Sequence, residues 1–453
     1  MKLSVTGMFN RFVIKHMEMG MVFNQGKADV LQYRKRTFDN RSVSYYVAFA
    51  MYVGWEWLNR TTLWDLDTSI VASYAEKVVQ ASVILLLANC FFRQRASAQE
   101  WLTAIGISIL GFTVWRTAAE GWLFWLALFV VSAKDVRIKP LAIIVVALVG
   151  GIFVFAVSAS ALGFIENLST VRVDGTVRMA MGFSHPNLFG ASLLAICMGM
   201  IVLMRERHQW LISLICLFWA FLCLKYADSR TSAACLAFIA VSLPLYNLLI
   251  RGGRFRYGPS CLVLLLLCLT AISVYFMLHF DPERNLDASL NSLLSGRLSL
   301  SHTYYLDHSP ALLGYNYTDG TIYQAGDKTF TFVVDNLYVH ILLRYGIIAW
   351  IIFFGSLLIL FFRMAKERYS GAIVYGLAIL LIYGLSETLG CRIEVNFYAI
   401  ALWTVLYHKP ISEFDDTNMS IAEVKTQRDS FEDELTFRDF ATFVFSRMRP
   451  HRG

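Results

Sequence analysis

Twelve stretches of this chain are almost purely apolar. They lie at about 43–59, 76–92, 101–115, 119–133, 140–163, 187–204, 209–225, 231–250, 260–279, 335–362, 371–388 and 393–408. A helix of about 20 apolar residues crosses roughly 30 Å of hydrocarbon. Lipid offers no partner to backbone N–H and C=O groups, so such runs must be helical. The alternating pattern of an outer-membrane barrel is absent. The pattern therefore predicts an all-α polytopic membrane protein with about twelve transmembrane helices. The third and fourth runs are short and are punctuated by Arg116 and Glu120. They read either as two spans or as one re-entrant pair, which would leave ten full spans with the same orientation.

The polar connections give direction to this pattern. Lys35, Arg36 and Arg41 precede the first span, Arg93 and Arg95 follow the second, and Lys134, Arg137 and Lys139 follow the fourth. Arg205 and Arg207, then Arg251, Arg254 and Arg256, then Arg363, Lys366 and Arg368 follow the sixth, eighth and tenth. Every second connection is basic, as cytoplasmic loops are. Both termini are expected in the cytoplasm. The chain divides into a basic N-terminal segment (1–42), a transmembrane domain (43–408) and a polar tail (409–453). Residues 8–24 read as an interfacial amphipathic helix or as an ordinary basic leader. No cleavable signal peptide is expected, because the first strong apolar run starts near Ser44. Two long outer loops are predicted, at about 164–186 and 280–334. The second carries Tyr304, Tyr305, Tyr315, Tyr317 and Tyr323, an aromatic content that argues for order.

Composition agrees with the bilayer reading. Of 453 residues, 57% are hydrophobic and 16% charged, against about a quarter charged in soluble domains. The net charge of +7 sits in the alternating connections and does not point to nucleic acid. Eight cysteines, mostly inside apolar runs, form no CxxC, disulfide framework or zinc spacing. No Walker loop, GxSxG or HExxH occurs.

Polar residues at predicted membrane depth are costly and tend to be functional. Arg116, Arg172, Arg178, Arg230, Arg297 and Arg392 break the positive-inside pattern on the predicted outer side, and Arg344 lies just inside the tenth span. Five polar knots collect there: 172–190; Asp228–Ser232; Ser295-Gly296-Arg297 with His302, Tyr304, Asp307 and His308; Asp335-Asn336; and Glu387, Arg392, Glu394 and Asn396. Arginine forks onto phosphate or carboxylate oxygens, so a site for an anionic, lipid-borne substrate is expected. Pro186 suits a first helical turn with His185 or Ser184 as its cap, which would aim backbone N–H groups outward.

These motifs resemble a known family. Gly182-Phe183-Ser184-His185-Pro186-Asn187-Leu188-Phe189-Gly190 is similar to the G-F-x-H-P-N-x-x-G signature of the O-antigen ligase and polysaccharide polymerase superfamily. Ser229-Arg230-Thr231-Ser232 is similar to its S-R-[GT] element. Ser295-Gly296-Arg297, the Leu312-Leu313-Gly314-Tyr315-Asn316 stretch and the run from Asp335 to Ala349 resemble its long outer loop and following helix. The order and spacing match over about 140–405. The ligases carry His-Asn where this chain has Asp335-Asn336, which favours a repeat-unit polymerase. A described Arg-x10-Gly pattern is missed by one residue between Arg178 and Gly190.

The resemblance implies a GT-C-like glycosyltransferase in the bacterial plasma membrane, with its active site outside the cytoplasm and no metal or cofactor. It would join undecaprenyl-pyrophosphate-linked oligosaccharide repeat units into O-antigen, capsule or exopolysaccharide. Its partners would be the lipid-linked glycans, the bilayer, a chain-length regulator and a flippase. The expected general bases are Asp335, His302 and Glu387. Arg172, Arg178, Arg230, Arg297, Arg344 and Arg392 would hold the pyrophosphate, with His185, Asn187 and Asn336 beside the substrate. The alternatives are a ligase onto lipid A core or protein and, more remotely, a transporter, although neither internal repeats nor broken midplane helices are seen.

Overall fold

The computed structural model describes residues 40–415, apart from 66–68, 173–174, 205–207, 252–256, 318–322, 326–327, 331–333, 368 and 370, together with 435–436. Residues 8–24, the basic residues Arg205, Arg207, Arg254, Arg256 and Arg368, and most of the 409–453 tail lie outside the described residues.

The chain is built of helices: α1 (Asn40–Leu58), α2 (Ser69–Arg93), α3 (Ala98–Ala118), α4 (Trp122–Ser132), α5 (Ile138–Ala161), α6 (Pro186–Leu203), α7 (Gln209–Leu222), α8 (Arg230–Arg251) and α9 (Gly258–His279). There follow α10 (Asn285–Leu293), α11 (Arg297–Asp307), α12 (Leu337–His340), α13 (Gly346–Met364), α14 (Gly371–Tyr383) and α15 (Leu402–Leu406). Among the described residues eight are long and apolar enough to cross a membrane: α2, α3, α5 to α9, and α12–α13 taken together as Leu337–Met364. The protein is a mostly helical, multi-pass membrane protein.

The third predicted span is longer than its apolar run suggested. Helix α3 has 21 residues, because a Ser97–Glu100 capping box extends it toward its start and Arg116 is carried inside its last turn. Helix α4 keeps the expected shortness, with 11 residues. Four of the twelve predicted runs are not among the eight. These are α1, which holds Arg41 and Glu56, α4, the 13-residue α14, and the 397–406 segment formed by a tight turn and α15.

Helix α6 lies at the centre, 78% of its apolar window being buried. Small residues allow this. A Cβ on Gly190 would stand 2.6 Å from Ser229 Oγ, so α8 presses directly against α6 where the two sequence motifs meet. Helix α5 packs along α6, and α7 along α8.

Successive helices alternate in direction, so their connections gather at two ends. At one end Thr62 N donates to Gly182 O at 3.0 Å and Ser184 N to Arg60 O at 2.8 Å, while Thr117 Oγ1 donates to Leu313 O. We call this the polar end. At the other, Arg41 pairs with Asp135 at 2.5 Å, Lys134 Nζ donates to Arg95 O, Arg363 Nη2 reaches Lys409 O at 2.6 Å and Ile138 N bonds Phe414 O at 3.0 Å. This is the basic end.

The polar end carries the structure outside the spans. Strands β1 (Ser169–Val171) and β2 (Val177–Met179) form an antiparallel hairpin. Helices α10 and α11 and a second hairpin, β3 (Tyr323–Ala325) with β4 (Lys328–Phe330), fill the long 280–334 loop. The described part of that loop packs through its aromatics: Tyr304 and Tyr317 are buried with Met277, Val334, Val339 and Leu343.

Candidate functional site

The hairpin delivers two arginines to the polar end. In β2 the side chains alternate out, in, out, so Arg178 is buried while Val177 and Met179 are exposed. Arg178 Nε donates to Ala227 O at 3.0 Å, and its Nη2 to Asn187 Oδ1. Asn187 sits in the first turn of α6, after Pro186. His185 caps that helix: its Nδ1 accepts from the Asn187 backbone N at 3.1 Å, which requires Nδ1 to be unprotonated. Burial and the nearby Arg178 hold the His185 pKa below its ordinary value, in agreement with that bond.

Helix α7 ends in a widened, π-type turn over Cys223–Ala227. Such turns leave carbonyls without intrahelical partners, and the Ala227 carbonyl is the one that receives Arg178. The chain then passes through Asp228 at φ 40°, a left-handed position that aspartate tolerates better than most residues. Asp228 meets Arg172 Nε at 2.7 Å and Arg230 Nε at 3.1 Å. The Asp228 carbonyl accepts from Arg172 Nη2 at 2.9 Å, and Arg172 Nη1 reaches Ser295 Oγ at 3.4 Å.

Arg297 opens α11 and spans two carboxylates. Its Nε donates to Asp335 Oδ2 at 3.2 Å and its Nη2 to Glu387 Oε1 at 3.0 Å. The same Glu387 oxygen accepts from Asn187 Nδ2 at 3.0 Å. A continuous polar line therefore runs from Ala227 through Arg178, Asn187, Glu387 and Arg297 to Asp335. The Glu387 side chain is 8% exposed and that of Asp335 28%, so Asp335 is the carboxylate that faces outward. Burial pushes Glu387 up to about 8, against the pull of Arg297 and with the help of Asp335.

The structure thus brings together eight of the sequence-predicted residues: Arg172, Arg178, His185, Asn187, Arg230, Arg297, Asp335 and Glu387. Four others stand apart. His302 Nδ1 is tied to Met277 O at 2.8 Å. Asn336 caps α12 through Val339 N at 3.1 Å and ties to Ser273 Oγ at 2.9 Å and Leu385 O at 3.1 Å, a positioning role. Arg344 pairs with Glu120 at 3.0 Å. Arg392 lies 3.2 Å above the centre of the Trp122 ring.

Arg344 and Arg392 belong to a second group. Glu120 Oε2 also meets His340 Nε2 at 3.0 Å, and His340 stacks on Trp122 with 5.3 Å between ring centres. Burial alone would raise the Glu120 pKa, but His340 and Arg344 hold it below its ordinary value. Beyond Arg392, Arg60 pairs with Glu394 and with Glu56. In the sequence Glu120 stands between two short apolar runs and His340 inside the 335–362 run, so neither is marked there as a site residue. Their partners lie 220 residues apart, which no local pattern reveals. Asp228 was visible within a knot, and its contact with Arg230 two residues on is the local signal that could have found it.

Two glycines shape the wall of this end. Gly346 follows a second π-type turn, Ile341–Tyr345, at φ 91°. A Cβ there would collide with the Gly314 backbone. The Gly314-Tyr315 stretch can therefore lie against the turn, and Tyr315 N bonds Arg344 O at 3.0 Å.

Two clefts lie elsewhere: one of about 360 Å³ between α3, α4, α13 and α15, and one of about 270 Å³ between α8, α9 and α14. We place the chemistry by the converging polar groups and not by cleft size. The first group offers four arginines against three carboxylates, a surplus suited to an anion. Among the described residues no cluster of three or more His, Cys, Asp or Glu could hold a metal ion. Compared with family models, with curated proteins and with solved structures, the chain matches none.

Proposed function

We propose that the protein is a glycosyltransferase that polymerises polyprenyl-pyrophosphate-linked oligosaccharide repeat units at the polar end of its bundle. In this reading all twelve apolar segments cross, the architecture is of the GT-C type, the termini and the basic end face the cytoplasm, and the polar end faces outward. A chain-length regulator and a flippase would be its partners. The observation that carries the reading is the Asp335–Arg297–Glu387 bridge, ringed by Arg172, Arg178 and Arg230. It joins carboxylates able to take a proton to arginines able to hold phosphate, in one place.

The chemistry follows from these roles. A hydroxyl of one lipid-linked unit attacks the anomeric carbon of another. The bond between that carbon and the phosphate oxygen breaks, and the pyrophosphate leaves with the electron pair. Asp335, the outward-facing carboxylate, receives the hydroxyl proton; a positioned base of this kind contributes about 10²–10⁴-fold. The arginines bind the departing charge, the usual location of electrostatic stabilisation. Glu387 and Asn187 fix the orientation of Arg297 and Arg178. His302, tied to Met277, has no part in the step.

The test is the size distribution of lipid-linked glycans in cells lacking the gene. Single repeat units accumulating on the carrier, with the ladder of longer chains gone, would support a polymerase. Long chains persisting on the carrier would make the protein a ligase and remove Asp335 from its assigned role.

A further inference from the structure

The cleft between α3, α4, α13 and α15 belongs to no part of this proposal. Its walls are the two long helices α3 and α13, and its floor is α4 and α15, of 11 and 5 residues. Short helices between long ones leave a slot. Leu110, Val114, Leu126, Phe353, Leu402 and Val405 line it. From Thr103 to Val114 it follows α3 for eleven residues, about 16 Å at 1.5 Å per residue. One leaflet of a bilayer core is about 15 Å deep, so the slot has the depth of a single acyl chain.

The slot is not apolar throughout. Gln99, Thr103 and His408 line it at the basic end. Two acidic groups near that mouth are engaged by backbone N–H groups: Glu100 accepts from Ser97 N at 2.7 Å and Glu367 from Ile411 N at 2.6 Å, as well as from Arg363; Asp135, half exposed, pairs with Arg41. Arg95, four residues before Gln99, is exposed; its backbone pairs with Leu435–Thr436, and its side chain makes no ion pair among the described residues. Lys134 and Lys409 stand close by, the first through its bond to Arg95 O, the second next to His408. An apolar slot one leaflet deep, opening among cations, with Glu100 and Glu367 held by backbone N–H groups, is complementary to an amphiphile with an anionic head.

We propose that this slot is a binding site for an anionic phospholipid, one acyl chain lying along α3 and the phosphate at Gln99, His408 and Arg95. The site stands at the opposite end of the bundle from Asp335 and is independent of the glycosyl-transfer reading. Basic residues at an anionic surface contribute about 1 kcal/mol each, so a preference of about fivefold per engaged cation is expected over a zwitterionic lipid with the same chains.

The experiment is native mass spectrometry of the full chain, delipidated in detergent and offered equal amounts of phosphatidylglycerol and phosphatidylcholine of identical acyl composition. The intact protein should retain phosphatidylglycerol about fivefold or more over phosphatidylcholine. Ser356→Trp, which fills the slot, should abolish retention of both. Should that variant fail to fold, Ile352→Trp, at a position 40% exposed, serves the same purpose. His408→Gly, which suits the left-handed backbone at φ 48°, should keep one bound lipid and lose most of the preference. Equal retention of the two lipids, or a preference that survives the filled slot, would overturn the proposal, as would recovery of a different amphiphile from the slot in native membranes.

Discussion

The two charged groups at the polar end are built from the same residue types and differ in balance. In the first, Arg172, Arg178, Arg230 and Arg297 face Asp228, Asp335 and Glu387, and the Arg230 and Asp335 side chains are 49% and 28% exposed. In the second, Arg344 and His340 share Glu120, and Arg60 shares Glu394 and Glu56, with side-chain exposures mostly below one fifth. Buried and closely paired charges are there to be satisfied; open and over-supplied ones can take a ligand. In the proposed function the first group, with its surplus arginine and its exposed Arg230 and Asp335, takes the substrate, and the second serves the architecture. Arg392 is stacked on Trp122, its Nε without a hydrogen-bond partner among the described residues, and is the member of the second group best placed to reach an anion.

The sharpest way to break this contrast is to remove one charge from each group. Asp335→Asn should lower chain growth on purified lipid-linked units by about 10²-fold or more while the melting temperature barely moves. Glu120→Ala should do the reverse. It strands buried Arg344 and His340 and should cost about 3–5 kcal/mol, read as a lowered denaturation midpoint. If the two variants exchange these phenotypes, the assignment of the groups is wrong.

Smaller effects sharpen it. Arg297→Lys should cut activity about tenfold, because an ammonium cannot span Asp335 and Glu387 as the fork does; Arg230→Lys, at the more exposed position, should cost less. Full activity in both would remove them from the site. The pH dependence has a definite sign. Below about 8 Glu387 holds its proton, and Arg297 is paired with the Asp335 carboxylate alone. Above that it ionises and competes with phosphate, so the KM for the lipid-linked donor should rise on the alkaline side. Glu387→Gln should flatten that limb, and an unchanged limb would discard this role. Chelation with EDTA should change the rate least of all; a loss of activity would overturn the metal-independent mechanism.

Much of the first group was legible in advance because its signals are local. His185-Pro186-Asn187 carries a cap and a first turn in consecutive residues, and Arg230 is two residues from its partner. Gly190 shows its reason only in three dimensions, where Ser229 occupies the space of its missing Cβ. Asn336 and His302 are expected at the substrate and are found tied to the Leu385 and Met277 carbonyls: a polar side chain at a helix start or in an outer loop looks the same in sequence whether it faces a substrate or a backbone carbonyl. Helix α3 runs past its apolar run, since a capping box extends a helix beyond the residues that mark it.

What the sequence determined alone is the bilayer as solvent: apolar runs must become helices, and the alternation of basic connections orders the chain into two ends. Which polar residues meet was decided only by the tertiary structure. Arg297 reaches Asp335 across 38 residues and Glu387 across 90, and Asn187 reaches Glu387 across 200. Helical periodicity carries information over a few turns, whereas these contacts depend on which helices pack side by side. That choice is made by small residues such as Gly190 and by the widened turns before Asp228 and Gly346.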